Sequence, residues 1–151
     1  TWQAITLPTT ASLYGIAGPS ASARLAVGDS GTILRFNGQA WRREASPYAG
    51  LLRSVWWAPD NRAMIVGAEG TALAWDGAAW HATDTHSSVF LRHVWGAEWA
   101  DVWAVGDSGT VLRYDGVAWH HLAAPSNQIA RSAAPERTSI SPPNPWAVSS
   151  R

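Results

Sequence analysis

Cysteine is absent from this 151-residue sequence, and no apolar run approaches the length of a membrane-spanning helix. Disulfides and thiolate metal sites are therefore excluded, as is a helical membrane span of about 20 residues. The opening segment TWQAITLPTT lacks the charged and apolar regions of a signal peptide, so any such signal has been removed. No charge of one sign dominates, because eleven acidic residues balance eleven basic ones, all arginine. We expect neither nucleic acid nor a membrane span, and the composition leaves the compartment open.

The sequence is organised as a tandem repeat with a period of 39 residues. The segments Ala26–Phe36 and Ala104–Tyr114 share nine of eleven residues, 78 positions apart, or two periods. The positions that keep this spacing are Trp2, Trp41, Trp80 and Trp119; Gly28, Gly67 and Gly106; Gly31, Gly70 and Gly109; Gly38, Gly77 and Gly116; and Leu13, Leu52 and Leu91.

Each unit contains four short strand signals. In the third unit these are Leu91–Trp95, Asp101–Val105, Thr110–Tyr114 and Val117–Leu122, separated by glycine-containing turns. Four strands in about 40 residues are typical of one blade of a β-propeller. A β-solenoid is the alternative, but two hairpin turns and a large terminal tryptophan in each unit favour a radial blade. The sequence therefore predicts an all-β fold of four-stranded antiparallel propeller blades.

The segment VWAVGDSGTVLRYDGVAW resembles a known repeat. It is similar to the blades of bacterial β-propellers related to the BNR/Asp-box and photosystem II assembly-factor-like families, with their WAVG…GTIL…DGG..W pattern. The likeness covers about Ala26–Trp119, but Asn37 replaces the aspartate in the first unit and the Ser/Thr that opens a full Asp box is missing. The resemblance thus implies a propeller without a sialidase active site, and it weakly favours an extracellular or periplasmic location.

The repeat also divides the chain into five parts. We predict the terminal outer strand of an incomplete blade in residues 1–12, blades in 13–50, 51–89 and 90–124, and a Pro/Ser-rich partial blade in 125–151. An array of three blades leaves two apolar faces uncovered, which promotes association. We therefore expect either a piece of a larger propeller or a ring that closes with a second copy.

The sequence GDSG, which contains Ser30 and again Ser108, resembles the nucleophile loop of trypsin-like serine proteases. A nucleophilic serine needs a neighbouring base and an oxyanion hole. The second unit, however, carries Gly67-Ala68-Glu69-Gly70 at the same place. A position that accepts Ala-Glu is a turn, so we predict that neither serine is catalytic. The turn aspartates, Asp29 and Asp107, are expected to accept hydrogen bonds from turn amides.

The remaining titratable residues do not form a catalytic or metal-binding pattern. His120 and His121 point to opposite faces of a strand and cannot easily share one ion. Asp60, Glu98 and Asp101 lie near the connection between the first two strands of a blade, where solvated turn residues are common. We predict no catalytic residue, no metal, no cofactor and no enzymatic activity.

Tryptophan is abundant, with eleven residues. The four periodic tryptophans are expected to wedge between neighbouring blades, and Phe36, Trp75 and Tyr114 form a second periodic aromatic column. The ligand-binding candidates are the tryptophans at the end of the first strand of a blade, namely Trp56, Trp57, Trp95 and Trp99. Exposed in loops at one face, these rings could stack on a sugar or anchor a protein, although packing in the core or rim is the alternative.

These observations predict a non-catalytic recognition module that binds a glycan or a protein through loops at one face. The surplus of non-periodic tryptophan slightly favours a lectin-like role. One alternative is a protein–protein scaffold or assembly factor, which follows from the family likeness. A less favoured alternative is a fragment of an Asp-box glycoside hydrolase whose catalytic groups lie elsewhere.

Overall fold

A computed structural model describes residues 1–122 of the chain. Within these residues twelve strands form three antiparallel sheets, each built from four consecutive strands. The first blade contains β1 (Leu13–Ser20), β2 (Ala23–Gly28), β3 (Ile33–Phe36) and β4 (Trp41–Glu44). The second contains β5 (Leu52–Trp57), β6 (Ala63–Gly67), β7 (Ala72–Trp75) and β8 (Trp80–Thr83). The third contains β9 (Leu91–Glu98), β10 (Asp101–Gly106), β11 (Thr110–Tyr114) and β12 (Trp119–His121).

The all-β fold with four-stranded blades is therefore confirmed. The three sheets lie inside the ranges 13–50, 51–89 and 90–124, whereas residues 125–151 lie outside the described part of the chain. The innermost strand β9 is longer than the apolar pattern indicated and runs to Glu98, because it pairs with β10 up to the pair Asp101 and Glu98. Among residues 1–122, no helix has the length and apolarity to span a bilayer.

The GDSG segments form tight turns between the second and third strands of a blade, as predicted. Ser30 and Ser108 have φ values of 58° and 61°, and the backbone N–H of Thr32 donates to the carbonyl of Asp29. The predicted role of the turn aspartates is wrong. Asp29 accepts a hydrogen bond from the Tyr14 hydroxyl, and Asp107 accepts from the Arg92 guanidinium.

The aspartates that do accept turn amides lie in the hairpins between the third and fourth strands. Asp76 Oδ1 accepts from the N–H groups of Ala78 and Ala79, at 2.7 and 2.9 Å. Asn37 makes the same two bonds in the first blade, and Asp115 makes them in the third. The substitution of Asn37 for aspartate therefore preserves the turn.

Each blade has two faces, here called front and rear. The front face of the first blade carries Val27 and Ile33 and the rear face carries Ile16 and Ala26, because residues opposite each other in a ladder share a face. The front face of each blade packs on the rear face of the next. One buried cluster joins Leu25, Val27 and Ile33 to Val55, Ile65 and Leu73; the other joins Met64, Val66 and Ala72 to Val94, Ala104 and Leu112.

Two of the periodic tryptophans act as the predicted wedges between blades. Trp80 and Trp119 are 6% and 3% exposed. Their indole N–H groups donate to the outer strand of the preceding blade, from Trp80 to Glu44 at 2.8 Å and from Trp119 to Thr83 at 3.0 Å. Each wedge therefore contributes both apolar contact and a satisfied polar group.

Residues 1–12 form no strand, and Trp2 is fully exposed. Ile5 and Thr6 nevertheless line a groove with Trp41 in the first blade, as Glu44 and Ala45 line a groove with Trp80 in the second. Ile5 and Glu44 are one period apart, so the N-terminal segment lies where an outer strand would lie. It does not pair as a strand because an outer strand needs the third strand of its own blade as partner.

Candidate functional site

Two of the candidate tryptophans meet at the boundary between the second and third blades. The ring centroids of Trp56 and Trp99 are 6.5 Å apart with an interplanar angle of 14°. Tyr114 meets the Trp99 ring edge-on at 5.6 Å, and the Arg62 guanidinium lies 4.6 Å from its centroid. Trp99 is consequently only 8% exposed. The ring is thus not exposed in a loop but packed in the core, the alternative that the sequence left open, because the side chains of Trp56, Tyr114 and Arg62 enclose it.

Trp57 lies at a different boundary, between the first and second blades. It is the last residue of β5 and is half-buried. Its indole N–H donates to Asn61 Oδ1 at 3.3 Å, and the Arg35 guanidinium lies 5.4 Å from its ring and 4.4 Å from that of Trp75. The Arg35 guanidinium thus lies between the rings of Trp57 and Trp75, and these contacts pack the first blade against the second.

Trp95 alone among the four candidates has a largely exposed ring, at 58%. It lies on the front face of β9 opposite Trp103, whose indole N–H donates to Asp101 at 2.9 Å. Arg113 binds the same carboxylate at 3.0 Å. The structure therefore brings Trp56 and Trp99 together and leaves Trp57 and Trp95 apart. That these four tryptophans bind a ligand stays a prediction.

Two of the carboxylates near these rings, Asp60 and Asp101, are held in ion pairs. Asp60 Oδ2 accepts hydrogen bonds from Arg62 at 2.5 and 2.9 Å, and this pairing lowers the pKa of the Asp60 carboxyl. Asp101 is bound by Trp103 and Arg113. A glycosidase needs one carboxyl with a raised pKa as general acid, so the direction of the Asp60 shift is opposite to that requirement.

Each described histidine has a different polar partner. His81 and His120 each bind the aspartate of their own hairpin, Asp76 at 2.6 Å and Asp115 at 2.8 Å. The two N–H groups of Ala79 and Ala78, together with His81, lower the pKa of Asp76 to about 2. In residues 1–122 no three potential ligand side chains come together as a metal site would require.

A row of polar residues on the inner strands was missed by the sequence reasoning. It occupies the repeat position directly after the periodic leucines and consists of Tyr14, Arg53 and Arg92; we call it the inner-strand row. The Arg53 guanidinium lies 5.7 Å from the Tyr14 ring and donates to the Tyr14 carbonyl at 3.4 Å. The signal that could have found the row is the periodic leucine, since its neighbour on an inner strand points to the opposite face.

The two arginines of this row differ in their partners. Arg92 donates to both oxygens of Asp107, at 2.5 and 3.3 Å, and this ion pair lowers the pKa of Asp107. For Arg53, no carboxylate of residues 1–122 lies within ion-pair distance. Tyr14 is 43% exposed beside it. The row therefore presents an unneutralised guanidinium next to an accessible aromatic ring.

Comparison with known proteins gives structural neighbours only. No model of a protein family matches the sequence, and no curated protein is significantly similar to it. A structure described as YCF48 bound to D1 peptide superposes with a TM-score of 0.68 at 21% identity over 80% of this chain. YCF48 from Cyanidioschyzon merolae superposes with a TM-score of 0.64 at 18% identity over 83% of it. The chain shares their propeller fold.

The resemblance to photosystem II assembly-factor-like propellers is thus confirmed at the level of the fold. Identities of 21% and 18% carry no functional residue across. The chain spans 44% of the length of each of these structures, which is less than half. The likeness to BNR/Asp-box repeats stays a prediction.

Proposed function

We propose that this chain is a non-catalytic β-propeller module that binds a polypeptide segment. The observation that carries the proposal is the inner-strand row, where Arg53 has a guanidinium without a neighbouring carboxylate in residues 1–122. The shared fold adds support, because one of the structural neighbours is described as bound to a peptide. Since propellers present binding groups on a rigid platform, the strand positions of the row suit recognition.

The chemistry of the row favours a carboxylate on the partner. A guanidinium donates two parallel hydrogen bonds to a carboxylate, which gives both strength and orientation. Arg92 is already neutralised by Asp107, so Arg53 is the cation of the row that can bind a carboxylate of the partner. The exposed ring of Tyr14 offers an apolar contact beside it. The segment that fits has an acidic side chain or a terminal carboxylate next to an apolar residue.

A peptide selection tests this proposal. The purified chain is used to select from a phage-displayed random peptide library, and the Kd of the selected peptides is measured by calorimetry. We expect peptides enriched in Asp, Glu or a free carboxyl terminus, and a loss of about tenfold or more in affinity for the R53Q variant, the scale of a charge-assisted hydrogen bond. R42Q, on the outer strand β4, is the matched control and should bind like the parent. Peptides that bind R53Q as tightly as the parent would refute this site.

Glycan binding is the second candidate, and the exposed ring of Trp95 favours it. The ring is 58% exposed and lies near His93, also exposed on β9, so it combines a stacking surface with a polar group. A glycan array probed with the parent and with W95A tests the idea, since binding to one sugar class should disappear in the variant. If the parent binds no glycan, this candidate fails.

For the other three tryptophans we propose a structural role that supports binding without contact to the ligand. Trp56, Trp57 and Trp99 lie between blades and hold the hairpins of that propeller face in place. We also propose that the chain catalyses no reaction. Support comes from Asp60, because its pairing with Arg62 lowers the pKa of its carboxyl, whereas a general acid needs a raised pKa.

A further inference from the structure

Within residues 1–122, the front face of the third blade has no blade packed on it, whereas the same face of the other two blades is buried. Val27 and Val66 are both 0% exposed under the next blade, while Val105, one period later, is 44% exposed. Trp95 is 58% exposed, and its counterpart Trp56 is half-buried against Gly96 and Trp99 of the third blade. The uncovered face is therefore half of an interface that the chain forms twice internally.

The rear face of the first blade is also exposed, whereas the rear faces of the other two blades are buried. Ile16 on the innermost strand is 65% exposed, while Val55 and Val94 at the same repeat position are 8% and 2% exposed. Grooves of about 700 Å³ and about 320 Å³ flank Ile16. Trp41 lines the larger groove, as Trp80 lines the groove at the next boundary. This face is thus the other half of the same interface.

We propose that these two faces bind each other between two copies of this chain. The front face of the third blade of one copy packs on the rear face of the first blade of its partner, and the contact is made twice. The three described blades of two copies together make a ring of six, within the four to eight blades known for propellers. A head-to-tail contact that closes is a stable arrangement, because it covers both open faces of the described blades.

The contacts inside the chain specify how the two copies meet. Val66 packs in one buried cluster with Val94 and Ala104. Their counterparts between copies are Val105 on one side and Ile16 with Ala26 on the other. All three positions are apolar in both cases, so a new boundary would bury the same kind of surface as an internal one.

The N-terminal segment lies at the edge of this interface. It occupies the outer-strand position beside the first blade, where β12 of a partner copy would lie. Trp2 is 100% and Ile5 67% exposed, and no strand pairing holds the segment. Its displacement by β12 therefore costs few contacts. Association also covers Trp95, so glycan binding there and ring closure exclude each other.

The test measures mass and affinity with variants on the two faces. Val105→Arg and Ile16→Arg each place a charge on one face, and both positions are open to solvent in the single chain. By native mass spectrometry and light scattering at micromolar concentration, the parent should have twice the mass of one chain. Each variant should be a monomer, with Kd raised about a hundredfold or more, because an unpaired charge would be buried at each contact. Val117→Arg, 86% exposed and off both faces, is the matched control and should remain a dimer.

Mixing the two variants distinguishes this interface from any other. Val105→Arg retains an intact rear face and Ile16→Arg an intact front face, so a mixture can form one good contact that neither variant forms alone. We expect a mixed dimer only after mixing, with the circular dichroism of each variant equal to that of the parent. A monomeric parent, a dimer that survives Val105→Arg, or a mixture that stays monomeric would overturn the proposal. None of these results depends on peptide binding, which R53Q tests separately.

Discussion

The indole N–H of Trp80 donates a 2.8 Å hydrogen bond to Glu44 Oε1, across the boundary between the first two blades. The second oxygen of the same carboxylate accepts from Arg35 of the first blade. At the next boundary Thr83 replaces Glu44 and accepts from Trp119 at 3.0 Å. The wedge position is thus constant in the repeat, while its acceptor differs between blades.

The first prediction concerns this acceptor. Glu44→Leu leaves the N–H of Trp80 and the guanidinium of Arg35 without their carboxylate, and should lower the free energy of unfolding by about 2–3 kcal/mol. Glu44→Thr copies the next boundary and should cost clearly less, because Thr83 shows that a threonine hydroxyl reaches this indole. Urea denaturation measures both. Equal losses in the two variants would mean that the hydrogen bond to Trp80 contributes little.

The second prediction compares two glycines at the same turn position. Gly31 and Gly109 have φ values of 64° and 69°. A Cβ on Gly31 would lie 2.1 Å from the Tyr48 carbonyl, whereas one on Gly109 would meet nothing within 4 Å. Gly109→Ala should therefore cost about 1 kcal/mol, the strain of a left-handed alanine, and Gly31→Ala distinctly more.

Thermal and urea unfolding of the two alanine variants measures this difference. A loss in Gly31→Ala no larger than in Gly109→Ala would show that the connection around Tyr48 moves aside without cost. The pair is well matched because both glycines follow a serine with a positive φ, Ser30 or Ser108.

The third prediction concerns acid stability. The folded state lowers the pKa of Asp76 from 3.8 to about 2. A carboxyl with a lowered folded pKa stabilises the protein above its unfolded pKa, and this contribution is lost as the pH falls through the folded value. Asp76 should therefore contribute to a decrease of stability as the pH falls from about 4 to about 2.

Asp76→Asn is the variant that isolates this effect. Asn37 makes the same two turn hydrogen bonds in the first blade, so the substitution removes the charge and keeps the turn. We expect a smaller fall in melting temperature on acidification than in the parent, with His81 losing its charged partner. Identical acid profiles for the parent and the variant would contradict the assignment.

The fourth prediction separates the candidate tryptophans by burial. Trp99→Ala removes a ring that is 8% exposed and enclosed by Trp56, Tyr114 and Arg62. It should cost about 3–5 kcal/mol of unfolding free energy, as for other buried aromatic residues. Trp95→Ala removes a ring that is 58% exposed and should cost far less. A cooperative transition unchanged in Trp99→Ala would show that this ring is not part of the core.

The sequence by itself determined the blade architecture, because a period of 39 residues repeats the same turns and apolar positions in every unit. Alternation in Asp101–Val105 gave the two faces of β10, and the recurrence of Ala-Glu within the glycine turn identified GDSG as a turn rather than a nucleophile. These features are local or periodic, and a single unit contains the information for them.

Only the tertiary structure decided which aromatic rings are exposed. Trp56 and Trp95 have the same repeat position, yet Trp56 is covered by the third blade and Trp95 is 58% exposed. By contrast, the ion pair of Arg92 follows from its own repeat, because Asp107 lies there while Ala68 takes the same position beside Arg53. Burial depends on which blade lies next to a residue. That neighbour is fixed by packing across the blade boundary and not by the residue's own repeat.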